Sequence, residues 1–284
     1  MKYALFPGCK SGFYLPRYKT SSSAVLSALG IELKELEFNC CGYPMRDKDL
    51  MSFLLLSIRN LAIAEEKGLP ILTLCKCCFG ALKHADHFFK NDPDKKKMIT
   101  ALLKEEGLSY GGTTQIRHIL TVLDMEGETL KKQIKKPLKH LKIAPHYGCH
   151  ALRPSNITQF DAPHAPHIFE RIIRLTGAEP LEWSRRLECC GDPLHQKNRP
   201  MSHTILRQKM ESARQAGADM ICSACNYCQL QFDNPPGPAA QEELESPIPS
   251  ILVSELLGLA MGMPGKNLEI PAPLRAVRGH GYSF

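Results

Sequence analysis

Cys40-Cys41-Gly42-Tyr43-Pro44 is answered 149 residues later by Cys189-Cys190-Gly191-Asp192-Pro193, and this pair of stretches organises the whole sequence. Thirty residues separate Cys9 from the first stretch, and 33, from Gly42 onward, separate Cys41 from Cys75-x2-Cys78. In the second half 39 residues separate Cys149 from Cys189, and 34 separate Cys190 from Cys225-x2-Cys228. The three cysteine groups are offset by 140, 149 and 150 residues, so nearly all of the lengthening falls in the first segment. Flanking residues repeat too: Phe6-Pro7-Gly8-Cys9 corresponds to His146-Tyr147-Gly148-Cys149. Self-similarity of this kind marks a duplicated structural unit.

The residues between the cysteines alternate between two periodicities. Short β-type runs at 3–6, 33–38 and 71–74 each lead into a cysteine group, and 143–144, 181–187 and 220–221 repeat them more weakly. Helical stretches such as 50–67 lie between, and Gly30, Gly68, Gly177 and Gly217 stand where helix C-caps would fall. After each CxxC comes an apolar segment of helical pattern, 116–123 and 251–259. The expected order in each half is strand, helix, strand, helix, strand. The expected fold class is therefore α/β, with two pseudo-symmetric, Rossmann-like domains of a small parallel sheet flanked by helices, covering residues 1–130 and 140–284. The polar, lysine-rich stretch 127–140, which contains Pro137, is the expected boundary. In such sheets ligands collect beyond the carboxyl ends of the strands, so three cysteine groups distant in sequence would converge on one object.

The chain has 284 residues, 43% hydrophobic and 23% charged, which is the composition of an ordinary globular protein with room for one large domain or two. Its twelve cysteines are the exception. No apolar signal-peptide core precedes Pro7, so a reducing cytoplasm is the expected compartment. The most apolar stretch, 250–263, is broken by Ser254 and Glu255 and is shorter than the ~18 to 20 residues a transmembrane helix needs. The formal charge is +7, with lysines at Lys95, Lys96 and Lys97 and at Lys131, Lys132, Lys135, Lys136, Lys139 and Lys142. These runs suit a solvated face or an acidic partner. They lack interleaved aromatics and match no nucleic-acid-binding signature, so no nucleic-acid partner is expected.

Five repeated cysteines per half admit three uses. Disulfides are disfavoured by the reducing compartment and by the poor pairing geometry of adjacent cysteines. Structural zinc takes four ligands and leaves the fifth over, twice. Iron-sulfur clusters take soft thiolates and commonly use a CxxC element, which makes them the favoured reading, although a cubane also needs only four. The fifth thiolate then points to a non-cubane cluster or to a reactive cysteine. Glycine after the vicinal pair suits a tight turn that aims both sulfurs together. Cys77 and Cys222 fall outside the repeat and read as small buried or near-cluster residues, not ligands.

On these motifs the sequence resembles the heterodisulfide reductase B-subunit family, of the cysteine-rich CCG-domain type, over essentially its whole length. The stretch His146-Tyr147-Gly148-Cys149-His150-Ala151-Leu152-Arg153-Pro154-Ser155 and the run Leu256-Leu257-Gly258-Leu259-Ala260 strengthen the resemblance. What it implies is two non-cubane [4Fe-4S] clusters, one on Cys9, Cys40, Cys41, Cys75 and Cys78, the other on Cys149, Cys189, Cys190, Cys225 and Cys228. It further implies reductive cleavage, or reversible formation, of a small-molecule disulfide or heterodisulfide held between them. The implied partners are a ferredoxin-like C subunit with cubane [4Fe-4S] clusters and a flavin-containing A subunit, and the chain carries no Gly-x-Gly-x-x-Gly or phosphate loop of its own. The alternative is a CCG-type electron-transfer subunit of a lactate-, glycolate- or succinate-type oxidoreductase without disulfide chemistry.

Other polar residues are secondary. His150 and Arg153 follow Cys149 and could hydrogen-bond a cluster or neutralise an acidic substrate group, against a plain loop-packing role. His195, five residues after Cys190, could supply a proton to a leaving thiolate. His84 with His87, and His164 with His167, have metal-compatible spacing but read as idle surface pairs. The segment 251–263 could dock a partner, although burial in the chain's own core is the stronger expectation.

Overall fold

A computed structural model of the protein describes residues 1–233 and 248–270. In the first half β1 (Lys2–Phe6) is followed by α1 (Cys9–Phe13) and α2 (Pro16–Ala28), β2 (Glu32–Glu35), α3 (Leu50–Glu66), β3 (Ile71–Thr73), α4 (Lys76–Asn91), α5 (Pro93–Glu105), β4 (Ile116–His118), α6 (Ile119–Met125) and α7 (Gly127–Gln133). The second half continues with β5 (Lys142–Pro145), α8 (Ser155–Thr158), α9 (Ile168–Leu175), β6 (Glu179–Pro180), α10 (Arg199–Gln215), β7 (Met220–Ser223), α11 (Asn226–Asp233), β8 (Ser250–Leu252) and α12 (Val253–Ala260).

Each half forms a four-stranded parallel sheet, in the orders β2-β1-β3-β4 and β6-β5-β7-β8. Ala4 pairs with Ile71 and Ile71 with Ile116, while Ile143 pairs with Met220 and Ile221 with Ser250. The central strands β1, β3, β5 and β7 are buried and apolar because helices cover both faces, whereas the edge strand β2 is largely exposed and charged. The chain leaves β1 to one side and returns to β3 on the other. This reversal opens a crevice at the carboxyl ends of the two strands. Cys9 follows β1 and Cys75 follows β3, so both open into that crevice, as Cys149 and Cys225 do in the second half.

The structure bears out the duplicated α/β plan and adds a fourth strand to each half. The segments 116–123 and 251–259 begin with three-residue strands, β4 and β8, before turning helical. Three residues are too few for a period to show, so the strands merged into the helical pattern behind them. The run 33–38 ends as a strand at Glu35, and 181–187 is not a strand at all; the pairing residues are Glu179 and Pro180, a two-residue strand set by its contact with β5. Gly30, Gly68, Gly177 and Gly217 all have positive φ after their helices, as expected. Residues 127–133 of the lysine-rich stretch form α7, and its exposed lysines carry the solvated face.

The halves pack through matching helices, α2 against α12 and α6 against α9. Each contact holds an arginine of one half against acids of the other. Arg17 on α2 meets Glu255 and Asp233, and Arg171 on α9 donates to Asp124 at 2.6 and 2.8 Å. Every residue of α12 is buried in the chain's own core, which settles 253–260 as core and not as an open docking surface. No helix among the described residues is long and apolar enough to cross a membrane.

Candidate metal centre

The vicinal cysteines are set by the helices behind them. Gly42 and Gly191 have φ of +78° and +94°, a region costly for any residue with a Cβ. A Cβ at Gly42 would lie 2.8 Å from the Phe53 carbonyl oxygen, and one at Gly191 would lie 2.8 Å from the Ser202 carbonyl oxygen. Glycine thus lets each turn sit against the first turns of α3 or α10. Asp49 caps α3 by accepting from Met51 and Ser52, and Asn198 caps α10 by accepting from Met201. From α3, Ser57 Oγ donates to the Cys41 carbonyl at 2.5 Å, and buried Asn60 donates to the carbonyls of Asn39 and Cys40 at 3.3 Å each. On α10, Ser202 Oγ donates to the Gly191 carbonyl at 2.9 Å.

These supports bring the sequence-expected thiols together. Cys9 hydrogen-bonds Cys40, Cys40 contacts Cys41, and Cys41 meets Cys78, which meets Cys75. The second set repeats this from Cys149 through Cys189, Cys190 and Cys228 to Cys225. The two sets abut, with Cys75 Sγ and Cys225 Sγ 3.8 Å apart. Hydrogen bonds from Cys40 and Cys78 pull the Cys41 thiol down to about 5, and those from Cys228, Cys75 and Cys77 hold Cys225 well below its ordinary value. Metal ligation requires thiolates; the first set already favours ionising Cys41, and the second favours ionising both Cys189 and Cys225.

Among the described residues, two compact groups have ligand atoms within 4.8 Å of one another: Cys75, Cys77 and Cys225, and His146, Cys190 and Cys228. Cys77 therefore stands beside the thiols while lying outside the repeat, and its Sγ is 3.2 Å from His150 Nδ1. Cys222 is buried within β7. His146 is a residue that sequence reasoning missed. It is fully buried, and neither ring nitrogen has a hydrogen-bond partner, which is costly for an imidazole unless something else accepts from it. Soft thiolates joined by an orphaned imidazole fit a transition-metal or iron-sulfur group. Its sequence signal was its place in the repeat, three residues before Cys149 and opposite Phe6.

The CxxC elements clasp across the interface. Buried Lys76 donates to the His146 carbonyl at 2.7 Å, and buried Asn226 donates to the Pro7 carbonyl at 2.9 Å while accepting from Ser11 at 3.0 Å. Above the thiols a cleft between the halves is lined by Cys77, His150, Asp192, Tyr227 and members of the second set. Tyr43 hydroxyl and His150 Nε2 are 3.2 Å apart there. Burial, with the charges of Cys225 and Cys189, pushes the Asp192 carboxyl up to about 7. Arg153 and His195 are exposed, and the His195 ring lies tilted at 51° to that of His203, with centroids 5.9 Å apart. His87 hydrogen-bonds Asn91, and His167 lies 3.4 Å from Asp161.

A duplicated parallel α/β protein with two abutting thiol sets at its sheet edges is a redox protein of the metal-binding, cysteine-rich kind. The cysteine-rich (CCG) domain model matches it twice, over residues 3–83 and 143–233, and the chain belongs to that family. It is 35% identical to the B subunit of the ferredoxin/F(420)H(2)-dependent CoB-CoM heterodisulfide reductase of Methanosarcina acetivorans, over 95% of this chain and 92% of that one. It is 34% identical to the 8-methylmenaquinol:fumarate reductase membrane anchor subunit of Wolinella succinogenes, over 95% of each chain. A hypothetical protein from Helicobacter pylori shares the fold at a TM-score of 0.76 and 17% identity; the match covers 94% of this chain and half of that one. The family and its relatives place this chain among oxidoreductase subunits.

Proposed function

We propose that the chain is the iron-sulfur catalytic subunit of a multi-subunit electron-transfer complex that reduces, or in reverse forms, a disulfide or heterodisulfide. Cys9, Cys40, Cys41, Cys75 and Cys78 would hold one non-cubane [4Fe-4S] cluster, and Cys149, Cys189, Cys190, Cys225 and Cys228 the other. The observation that carries this reading is the meeting of the two thiol sets at Cys75 and Cys225, beside a cleft lined by the second set together with Lys76 and Cys77 of the first half. Splitting a disulfide takes two electrons, and a pair of clusters supplies one each. The chain's own residues shape the reaction space. His150 and Tyr227 line the cleft, Tyr43 hydrogen-bonds His150, and the Lys76 and Asn226 clasps tie the two halves together. Of the three polar candidates, His150 faces the cleft, and Arg153 and His195 are left for partner or product contacts at the surface.

Electrons would arrive from a ferredoxin-like C subunit fed by a flavin-containing A subunit. Residues 1–130 and 140–284 would act as two domains, each holding one cluster. The second reading, an electron-transfer subunit without disulfide chemistry, is favoured by the likeness to the fumarate reductase subunit named above. Incubating the reduced, iron-loaded complex with small-molecule disulfides separates the two. Thiol release supports the catalytic reading; clusters that cycle without any thiol release support the other.

A further inference from the structure

The two halves repeat each other's thiols but not each other's charges. Three buried positions carry the difference. Lys76, directly after the first thiol of its CxxC, corresponds to Asn226; Lys209 on α10 corresponds to Asn60 on α3; and His146 corresponds to Phe6. All six are buried, at 2% exposure or less. In each pair the charged or hydrogen-bonding member faces the second thiol set. Lys76 belongs to the first half, yet its ammonium reaches across to the His146 carbonyl, and the thiols acting on it are Cys228, Cys225, Cys222 and Cys149. Lys209 donates to the Arg185 carbonyl and feels Cys190 first, then Glu188, Cys228 and Cys189. His146 lies within ligand distance of Cys190 and Cys228.

The first set has neutral neighbours at the matching places. Asn226 and Asn60 spend their amides on the carbonyls of Pro7, Asn39 and Cys40, and the Phe6 ring rests on Phe38 at 5.1 Å. Among the described residues no carboxylate forms an ion pair with either buried lysine. Glu188 is exposed and held by Arg185 at 2.6 Å. Burial disfavours both ammoniums, and Lys209 is pulled down to about 8. The groups that work against this at Lys76 are the thiols of the second set with Cys222, and at Lys209 the second set with exposed Glu188, so the second set and whatever it holds is the main balancing anion. Lys10, beside Cys9, and Asp192, near Cys225 and Cys189, work the other way. Lys10 is partly exposed and screened, and Asp192 is one charge against two buried ammoniums.

We propose that Lys76, Lys209 and His146 make the second site, on Cys149, Cys189, Cys190, Cys225 and Cys228, the one that accepts the first electron. The inference rests on the reading of both thiol sets as iron-sulfur sites. Positive charge and hydrogen bonds to sulfur favour the reduced form of such a group, and one N–H of His146 is free to donate. A one-electron donor, an iron-sulfur partner in the complex or dithionite in vitro, loses one electron and the second site gains it. The first site is filled only afterwards, which orders a two-electron reaction. These residues act through charge and position and do not touch a substrate.

The test is a mediated redox titration of the anaerobically iron-loaded chain, followed by EPR, with iron and sulfide measured on the same sample. Two waves are expected, separated by at least tenfold in the one-electron constant, about 59 mV. Lys209→Met should lower the higher wave alone, and Asn226→Lys should raise the lower wave alone. A single wave at full iron content overturns the inference, whether or not the variants load. So does movement of the wrong wave, or of neither. Absence of iron and sulfide overturns the underlying reading instead, and is recognised before any titration begins.

Discussion

Gly42→Ala tests whether the vicinal cysteines are positioned by the close approach of α3. Alanine at φ +78° carries the left-handed penalty of about 1–2 kcal/mol. Its Cβ would also lie 2.8 Å from the Phe53 carbonyl oxygen and 3.2 Å from Leu56 Cβ, and relieving such overpacking costs about 1–3 kcal/mol. The sum, about 2–5 kcal/mol, corresponds to a Tm lower by roughly 5–15 °C for a chain of this size. Gly30→Ala is the control, because Gly30 has a similar φ of +73° but open space around its Cβ position. It should show the backbone penalty alone. Moving α3 also moves Ser57 and Asn60, which hold the backbone at Cys40 and Cys41, so Gly42→Ala should lose about half its bound iron while Gly30→Ala keeps it. Calorimetry with iron analysis measures both. Equal melting of the two variants with full iron in each would refute the reasoning.

Other perturbations reach different parts of the structure. Arg17→Met strands Glu255 in the α2–α12 contact without its guanidinium, and denaturant titration should show a loss of about 3–5 kcal/mol. Asn226→Leu removes the bonds to Pro7 and Ser11 while the Pro7 carbonyl keeps Ser11 Oγ at 2.8 Å, so stability should fall by only about 0.5–1.5 kcal/mol in the same assay. Burial holds His118 neutral, pushing its pKa down to about 3, so the unfolded chain takes up a proton there that the folded chain refuses. The stability from this group is complete above about pH 6.5 and falls as pH drops toward 3; His118→Gln, measured across that window, should show a shallower fall. Cys225→Ser should reduce iron per chain to about half and Cys222→Ser should leave it unchanged, by metal analysis.

The cysteine spacing carried most of the site in the sequence, because a parallel sheet sends the loops after β1 and β3 to one edge whatever their distance along the chain. The glycine after each vicinal pair was legible for the same reason: a backbone requirement leaves a residue-type signature. What escaped depends on how the two halves dock. Lys76 and Asn226 sit at the same place in their motifs, and nothing local says that each side chain crosses to the other half's first loop. His146 resembles any residue ending a strand until its unpaired nitrogens are seen against Cys190 and Cys228. The strands β4, β6 and β8 have two or three residues each, too short for periodicity, and are fixed by pairing with a neighbour.

Anaerobic metal and sulfide analysis of the purified chain, joined to its EPR spectrum, measures directly whether the ten thiols hold iron. Two clusters predict about eight irons and about eight labile sulfides per chain, with a paramagnetic signal that changes on reduction. Two zinc ions, no sulfide and no signal would contradict it.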